Sequence, residues 1–460
     1  MPFDGFTPDE NNRPAQHLLR LVEESNASIF LTGRAGTGKS TLLRYVDATT
    51  PKKHVVLAPT GVAAVNAGGQ TIHSFFRLPF GPLLPDLKTR KSIIATYRAK
   101  HLKLIRSLEL IIIDEVSMLR SDTVDMIDMI LRRVRMENEL PFGGVQMLFV
   151  GDLFQLEPVV SEGEKNLLAD YYATNFFFGA LAFKAAAPLI VSLEKVYRQK
   201  DLDFIRFLDA VRMGKVTASE LARFNDVVCS NSNSLSSKES DLVVTVSSRR
   251  STAARINDKQ LDSLHEKEHL FHATKTGTFA EGSYPADEVL CLKPGAQVMF
   301  LNNDAEHRWY NGSLGECLGF EKNEDGELCV RVLLETGEEY EVQPYTWENR
   351  KYEFDEKEER VSTTVLGRFS QIPLRLAWAI TIHKSQGLTF DRVTIDLEGG
   401  AFAAGQTYVA LSRCRSLEGL SLTRPLRLTD IISNSDVHRF YLAANDEEAL
   451  RNALAPNPNP

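Results

Sequence analysis

The chain has 460 residues, of which 43% are hydrophobic and 25% charged, a globular composition with apolar material for about two to four domains. No apolar run approaches the ~20 residues that span a bilayer. The first residues lack a basic region followed by an apolar one, so no secretory signal is expected. Five scattered cysteines without C-x-x-C spacing read as reduced thiols of a cytoplasmic protein. A formal net charge of −8 argues against a protein-wide electrostatic grip on nucleic acid and leaves that role to local basic patches.

Residues 13–22 carry apolar side chains at helical spacing. Gln16 in this helix is either a reader of an adenine edge or a solvent-facing glutamine. A buried strand follows at 28–32 and runs into Gly33-Arg-Ala-Gly-Thr-Gly-Lys-Ser40, which fills every fixed position of the phosphate-loop pattern G-x-x-x-x-G-K-[ST]. Glycines let successive backbone N–H groups curl around a polyphosphate. Gly33, Ala35, Gly36, Thr37, Gly38 and Thr41 form the expected cradle. Lys39 reaches the β- and γ-phosphates, and the Ser40 hydroxyl is placed to ligate Mg²⁺. The apolar-striped helix after the loop points its N-terminal dipole at the same anion.

Strands and helices then alternate, the mark of a parallel sheet covered on both faces. The strand at 54–58 ends in Pro59-Thr60-Gly61, a loop at the carboxyl edge where ligands of open α/β sheets bind. In the glycine-rich segment 68–76, Thr60, His73 and Ser74 are candidates to hold phosphates or a base, and Phe75 or Phe76 either stacks on a base or joins the core. Residues 77–106 begin with a proline-punctuated loop and continue with a basic run (Lys88, Arg90, Lys91, Arg98, Lys100, Lys103, Arg106), read as a small insertion with a solvated or nucleic-acid-facing surface. Glu109-Leu-Ile-Ile-Ile-Asp-Glu115 delivers two acids at a strand end, about 75 residues after the phosphate loop. Asp114 is placed to hold Mg²⁺, and Glu115 to polarise the attacking water. An amphipathic helix over 122–139 and a buried strand at 146–150 lead to Gly151-Asp-Leu-Phe-Gln155. Gln155 is positioned to sense the γ-phosphate, and Phe154 beside it to touch nucleic acid.

These stretches resemble a known family. Thr-Gly-Arg-Ala-Gly-Thr-Gly-Lys-Ser at 32–40, Ala-Pro-Thr-Gly-Val-Ala-Ala at 58–64, Ile-Asp-Glu-Val-Ser-Met at 113–118 and Gly-Asp-Leu-Phe-Gln-Leu-Glu-Pro at 151–158 are similar to the petite-integration-frequency (Pif) DNA helicases, in the RecD-like branch of helicase superfamily one. The segment ending Pro141-Phe-Gly-Gly144 looks like that family's own signature. The likeness continues through Val196-Tyr-Arg-Gln199, His383-Lys-Ser-Gln-Gly387 and Tyr408-Val-Ala-Leu-Ser-Arg413, covering essentially 28–425. Glu157 departs from it, standing where the family often has proline, and the adenine-reading segment around Gln16 is not a clean match. The resemblance implies an ATP-dependent DNA helicase travelling 5′ to 3′ on single-stranded DNA, with a role in genome maintenance that includes DNA repair and telomere maintenance.

The second half opens with a strand at 189–193, which places a domain boundary near 185. After it, Arg198 has no structural need to end a strand and is suited to reach a γ-phosphate, with Tyr197 against the adenine. Strands at 241–246 and 294–300 follow. Between 312 and 368 alternating strands and an acidic segment read as a β insertion, and the resemblance implies an SH3-like module there. In Thr381-Ile-His-Lys-Ser-Gln-Gly387, the groups of Thr381, His383, Lys384 and Ser385 suit a single-strand backbone, and Gly387 faces the nucleotide. A helix over 405–413 presents Arg413.

The expected fold is therefore α/β. Two RecA-like P-loop NTPase core domains (1–76 with 107–184, and 185–311 with 369–440) carry a small basic insertion at 77–106 and a β-barrel insertion at 312–368, followed by a polar tail at 441–460. The first domain contributes Lys39, Ser40, Asp114, Glu115 and Gln155, and the second contributes Arg198 and Arg413 as arginine fingers. ATP and Mg²⁺ are the expected cofactors. Single-stranded and forked or structured DNA are the expected partners of a monomer that does not engage membranes. A nucleotide-switched clamp without turnover, an RNA helicase and a motor subunit of a nuclease complex are the other classes compatible with these residues.

Overall fold

A computed structural model of the chain describes residues 8–9, 11–84, 93–235, 242–279, 281, 284–323, 326–355 and 357–443. Lys88, Arg90 and Lys91 of the basic run, Glu324 and Asp325 of the expected hairpin turn, and most of the polar tail lie outside the described residues. The chain divides into two compact units.

The first unit is built on a six-stranded parallel sheet. Its elements in chain order are α1 (Arg13–Glu24), β1 (Ile29–Gly33), α2 (Lys39–Thr49), β2 (His54–Ala58), α3 (Gly61–Asn66), β3 (Gln70–Thr71), α4 (Ile72–Phe75), α5 (Ala99–Ser107), β4 (Leu110–Ile113), α6 (Ser121–Arg135), β5 (Gln146–Val150) and β6 (Leu189–Leu193). Strand order is β3-β2-β4-β5-β1-β6, and every neighbouring pair is parallel. Helices cover both faces, so β1, β4 and β5 are buried along their whole length and read as unbroken apolar runs. Leu18, Leu21 and Val22 of α1 and Leu42, Leu43 and Val46 of α2 pack on one face against Ile29, Leu31, Leu148 and Val150.

Three segments depart from the expected domain boundaries. Leu189–Leu193 does not begin the second sheet. It pairs with β1 from Ile29↔Leu189 to Gly33↔Leu193, and the division between units falls at Tyr197/Arg198 instead of near 185. The helix Ser435–Ala443 returns to the first unit, where the Phe440 ring stacks on Phe178 with centroids 4.4 Å apart and planes 7° from parallel, and also approaches Phe30 and Phe183. Residues 350–365 belong to the first unit as well. The Val56 amide donates to the Tyr352 hydroxyl (3.1 Å), meeting β2 beyond the short stretch that β3 pairs. The Phe354 ring takes Lys53 and Lys103 over its faces. These contacts join residues far apart in sequence, which local periodicity does not register.

The second unit carries its own parallel sheet, in the order Ala379–Thr381, Val244–Ser247, Val393–Asp396, Leu420–Leu422. Antiparallel structure fills the segment expected to be a β insertion. Leu314–Lys322, Leu328–Leu334 and Glu339–Val342 form a meander, which Gln297–Phe300 and Leu374–Leu376 extend to five strands. Its core gathers Phe300, Trp309, Val330, Val332 and Leu374. Thr274–Gly277 pairs antiparallel with the stretch Gly367–Ser370.

Truncation of the stacked carboxy-terminal ring tests its place in the first unit. Phe440 is half-buried, so Phe440→Ala should cost less than the about 3–5 kcal/mol of a fully buried aromatic, and should lower the midpoint of the first unit's unfolding transition. An unchanged midpoint by calorimetry would mean the helix is not part of that core.

Candidate nucleotide site and nucleic-acid loops

Parallel pairing brings the carboxyl ends of β1, β2, β4 and β5 to one edge, so the phosphate loop, Pro59-Thr60, the acidic pair and Gln155 all emerge there. Gly33 sits where β1 and β6 are in register, and a Cβ at this position would lie 2.6 Å from the Leu193 carbonyl oxygen. Gly38 (φ 86°) caps α2 in the left-handed region and brings no side-chain cap. First-turn amides at a helix end of this kind suit a phosphate. The Lys39 ammonium donates to the Gly33 (2.7 Å) and Arg34 (2.9 Å) carbonyls, and the Thr37 hydroxyl donates to Arg34 (2.9 Å). The loop thus holds its own cation at the place where phosphate oxygens would take it over.

The Asp114 carboxyl is pushed above the usual range by burial; the Glu115 amide donating to it (2.8 Å) and the Lys39 and Arg44 charges pull the other way. Glu115 adopts φ 50°, ψ 42°, a left-handed backbone that a non-glycine residue adopts only at a cost of order 1–3 kcal/mol. Such strain at an acid following a buried strand marks a side chain held in a required direction. Gln155 is buried just beyond β5, its amide donating to the Asp152 carbonyl (3.0 Å).

The candidate base-binding residues also meet. The Tyr197 amide donates to the Gly36 carbonyl (2.8 Å), and its ring lies along Gly38. The Asn12 amide side chain donates to the Tyr197 hydroxyl (3.3 Å), which in turn donates to Asp9 (3.3 Å), and Gln16 donates to the Asp9 carbonyl (3.5 Å). Lys195 pairs with the Asp9 carboxylate and pulls it below its ordinary range. Gln16 and Tyr197 therefore share a polar cluster that the sequence assigned separately, with Asn12 and Asp9 as members it did not reveal.

Among the candidate nucleic-acid residues, Thr60 accepts from the Ala63 amide as the cap of α3, and Pro59 precedes it, half-buried. His73 is half-buried, and Ser74 is exposed with its hydroxyl accepting from Gln70 (2.7 Å). Phe75 is a correction. Its ring is 1% exposed and packs on Phe76, His101 and Tyr352, so no base reaches it. Phe154 is likewise buried, edge-on to His438 and Tyr441 from the returning carboxy-terminal helix.

In the second unit, Thr381 is half-exposed and accepts from the Lys384 amide, and His383, Lys384 and Gly387 are exposed. Ser385 is a correction, fully buried with its hydroxyl donating to the Ile382 carbonyl (2.8 Å). Gly387 and Leu388 line a cavity of about 270 Å³ with Tyr310, Asn311 and Arg415. Lys384 is held below its ordinary value first by Arg375 and then by burial, with Arg250 adding to the effect; burial and Arg250 lower His383 too. Arg375 and Arg250, whose positions in a strand and at a helix start carry no motif, thus join this basic loop.

The two expected arginine fingers differ. The Arg198 guanidinium donates to the Ser412 carbonyl (3.0 Å), has no carboxylate partner among the described residues, and is lowered to about 10 by burial. A desolvated cation in this state favours an arriving anion. Arg413 is 1% exposed and fully engaged, donating to the Val409, Ser385 and Leu388 carbonyls and the Ser412 hydroxyl. Arg413, expected as the second arginine finger, is buried in this structure and fastens the loop 385–388 to the helix Gln406–Leu411.

A phosphate loop, a strand-end acid pair and two RecA-like sheets define a P-loop NTPase of helicase superfamily one. The model of the PIF1-like helicase family matches residues 12–221. The chain is 35% identical over 409 residues to the human ATP-dependent DNA helicase PIF1, covering 88% of this chain and 59% of that one. It is 33% identical to ATP-dependent DNA helicase Pif1 of Bdellovibrio bacteriovorus, covering 92% of this chain and 89% of the relative. The structure of Bacteroides sp. Pif1 in complex with ADP-AlF4 superposes with a TM-score of 0.86 at 37% identity, over 96% of this chain and 98% of that one. The same Bacteroides helicase in complex with ADP-AlF3 and single-stranded DNA matches at a TM-score of 0.68 and 37% identity, over 97% and 99%. The chain belongs to the PIF1-like helicase family, and it spans about three fifths of the length of its human relative.

The buried position of Arg413 makes a direct prediction. Arg413→Ala should leave several buried carbonyls unpaired at about 1–3 kcal/mol, lowering the thermal midpoint and weakening single-strand binding even without nucleotide. Nucleotide-free binding equal to the parent's would return Arg413 to a purely catalytic role.

Proposed function

We propose that this chain is an ATP-dependent DNA helicase that moves 5′ to 3′ along single-stranded DNA and opens duplexes at forks. The observation that carries the reading is the carboxyl edge of the first sheet, where Lys39, Asp114, Glu115 and Gln155 converge behind strained backbone at Glu115. Family membership and the named activity of the Bdellovibrio relative support it.

Mg²⁺ fits the residues present. Asp114 is a desolvated carboxylate at the edge that also carries Ser40, so a hard cation with oxygen ligands would offset its burial. Ser40 and Asp114 would hold the ion, which when bound neutralises charge on the β- and γ-phosphate oxygens. Lys39 exchanges the Gly33 and Arg34 carbonyls for those phosphates. Glu115 orients a water for in-line attack and accepts its proton, and Gln155 registers whether the γ-phosphate is present. Arg198 supplies positive charge to the transferring phosphoryl group, while Tyr197 and Gln16 hold the base.

The strand is gripped by Thr381, His383 and Lys384 with Arg250 and Arg375 in the second unit, and by Pro59, Thr60, His73 and Ser74 in the first. Hydrolysis alternates the two grips, which is translocation. About four to six phosphate contacts predict a log–log salt slope near −3 to −4. A structure described as DNA unwinding at forked double-stranded DNA by two coordinating Pif1 helicases (TM-score 0.66, 37% identity, 96% of this chain and 98% of that one) makes a fork the natural substrate to assay.

Forked DNA and RNA duplexes bearing only a 5′ or only a 3′ tail test the proposal. Unwinding should require ATP, DNA and the 5′ tail; opening from a 3′ tail alone would overturn the polarity. Lys39→Ala should abolish hydrolysis yet still bind single strands. Arg198→Ala should bind nucleotide but turn over about 10³–10⁵-fold more slowly, and parental turnover in that variant would remove Arg198 from the site.

A further inference from the structure

Phe80 is the most exposed large hydrophobic residue among those described, at 92%, yet its loop is held on both sides. On the amino-terminal side the Leu78 amide donates to the His73 carbonyl (2.9 Å), and the Leu78 side chain is buried. Arg77 takes a left-handed backbone (φ 49°), and its guanidinium donates to the Thr96 carbonyl. On the carboxyl side Arg120 donates to the Gly81 carbonyl (2.8 Å), while Asp122, itself bonded by Arg120, accepts from the amide of buried Leu83 (2.7 Å). An aromatic ring on slack chain would collapse onto apolar surface; this one is presented outward by a fixed frame.

One face of the ring is already occupied. The His73 imidazole lies against it with centroids 5.4 Å apart and planes 16° from parallel, an offset stack. His73 sits on α4, which starts where β3 pairs with β2 and hence beside Pro59-Thr60. Burial and the nearby Arg120 hold the imidazole below its ordinary value, with Asp122 opposing, which favours the uncharged ring. The other face of Phe80 is open to solvent.

We propose that His73 and Phe80 form a two-ring platform whose open face stacks one nucleobase of the single strand. This rests on the reading of the chain as a single-strand-binding motor and extends it with a residue outside its motifs. The ligand is a base of any identity, because stacking uses the π-face that all bases share. The frame around Arg120 and Asp122 supplies the platform ready-formed, so little side-chain freedom is lost on binding.

Binding of fluorescein-labelled oligo-dT at fixed salt by the full chain provides the test. Phe80→Ala should weaken binding about 5- to 150-fold, the effect of one stacked base at 1–3 kcal/mol, without changing the log–log salt slope, since no phosphate contact is lost. Phe80→Trp should keep the affinity, and its indole fluorescence should be quenched at saturation. The thermal midpoint of Phe80→Ala should match the parent's, because so exposed a ring holds no core. Parental affinity in Phe80→Ala, or no quenching in Phe80→Trp, would overturn the platform and leave the motor reading standing. Failure of the parent chain to bind the oligonucleotide would overturn both.

Discussion

Register between β1 and β6 is the constraint on which the nucleotide site depends. Parallel pairing sets Gly33 opposite Leu193, so close that no Cβ fits, and the chain leaves that point directly into the phosphate loop. Because β6 is the strand alongside, the residues after it run past the loop, and Tyr197 hydrogen-bonds Gly36. On the other side β5 and β4 follow in register, which brings Gln155 and the acidic pair to the same edge. Moving β6 by one residue would displace Tyr197 from the loop and turn its side chains to the opposite face.

The parts of this site that were legible in the sequence are those whose chemistry is local. A phosphate loop needs glycine, lysine and a hydroxyl at fixed spacing, and buried parallel strands need unbroken apolar runs, so β1, β2, β4 and β5 can be read directly with their exits. The misreadings share one cause. Leu189–Leu193 is a good strand in either sheet, and only pairing decides which. Phe75 and Phe154 look alike from their neighbours, and what buries them comes from distant segments: Tyr352 for one, His438 and Tyr441 for the other. Arg250 and Arg375 escaped for the converse reason, since an arginine outside a motif shows its role only when folding sets it beside Lys384.

Arg198 and Arg413 show how burial separates identical side chains by function. Both are withdrawn from water, which for a guanidinium costs several kcal/mol unless partners replace the solvent. Arg413 has those partners in carbonyls of its own unit and so acts as a fastener between helix and loop. Among the described residues Arg198 donates to one carbonyl, that of Ser412, and burial lowers it to about 10. An anionic group would complete its shell, which is what supports the phosphoryl contact proposed for Arg198.

The overall charge of −8 and the proposed grip on a polyanion are reconciled by where the cations stand. Arg375 and Arg250 hold Lys384 below its ordinary value, with Asp287 opposing, and Arg250 does the same to His383, an arrangement that a phosphate chain joining it would relieve. With acidic residues outnumbering basic ones over the chain, such a basic loop is a local exception to the net charge. The grip proposed for this loop is therefore local, as is the one proposed for Pro59, Thr60, His73 and Ser74 in the first unit. A motor benefits from this balance, because a grip confined to a few phosphates is released and remade at each turnover.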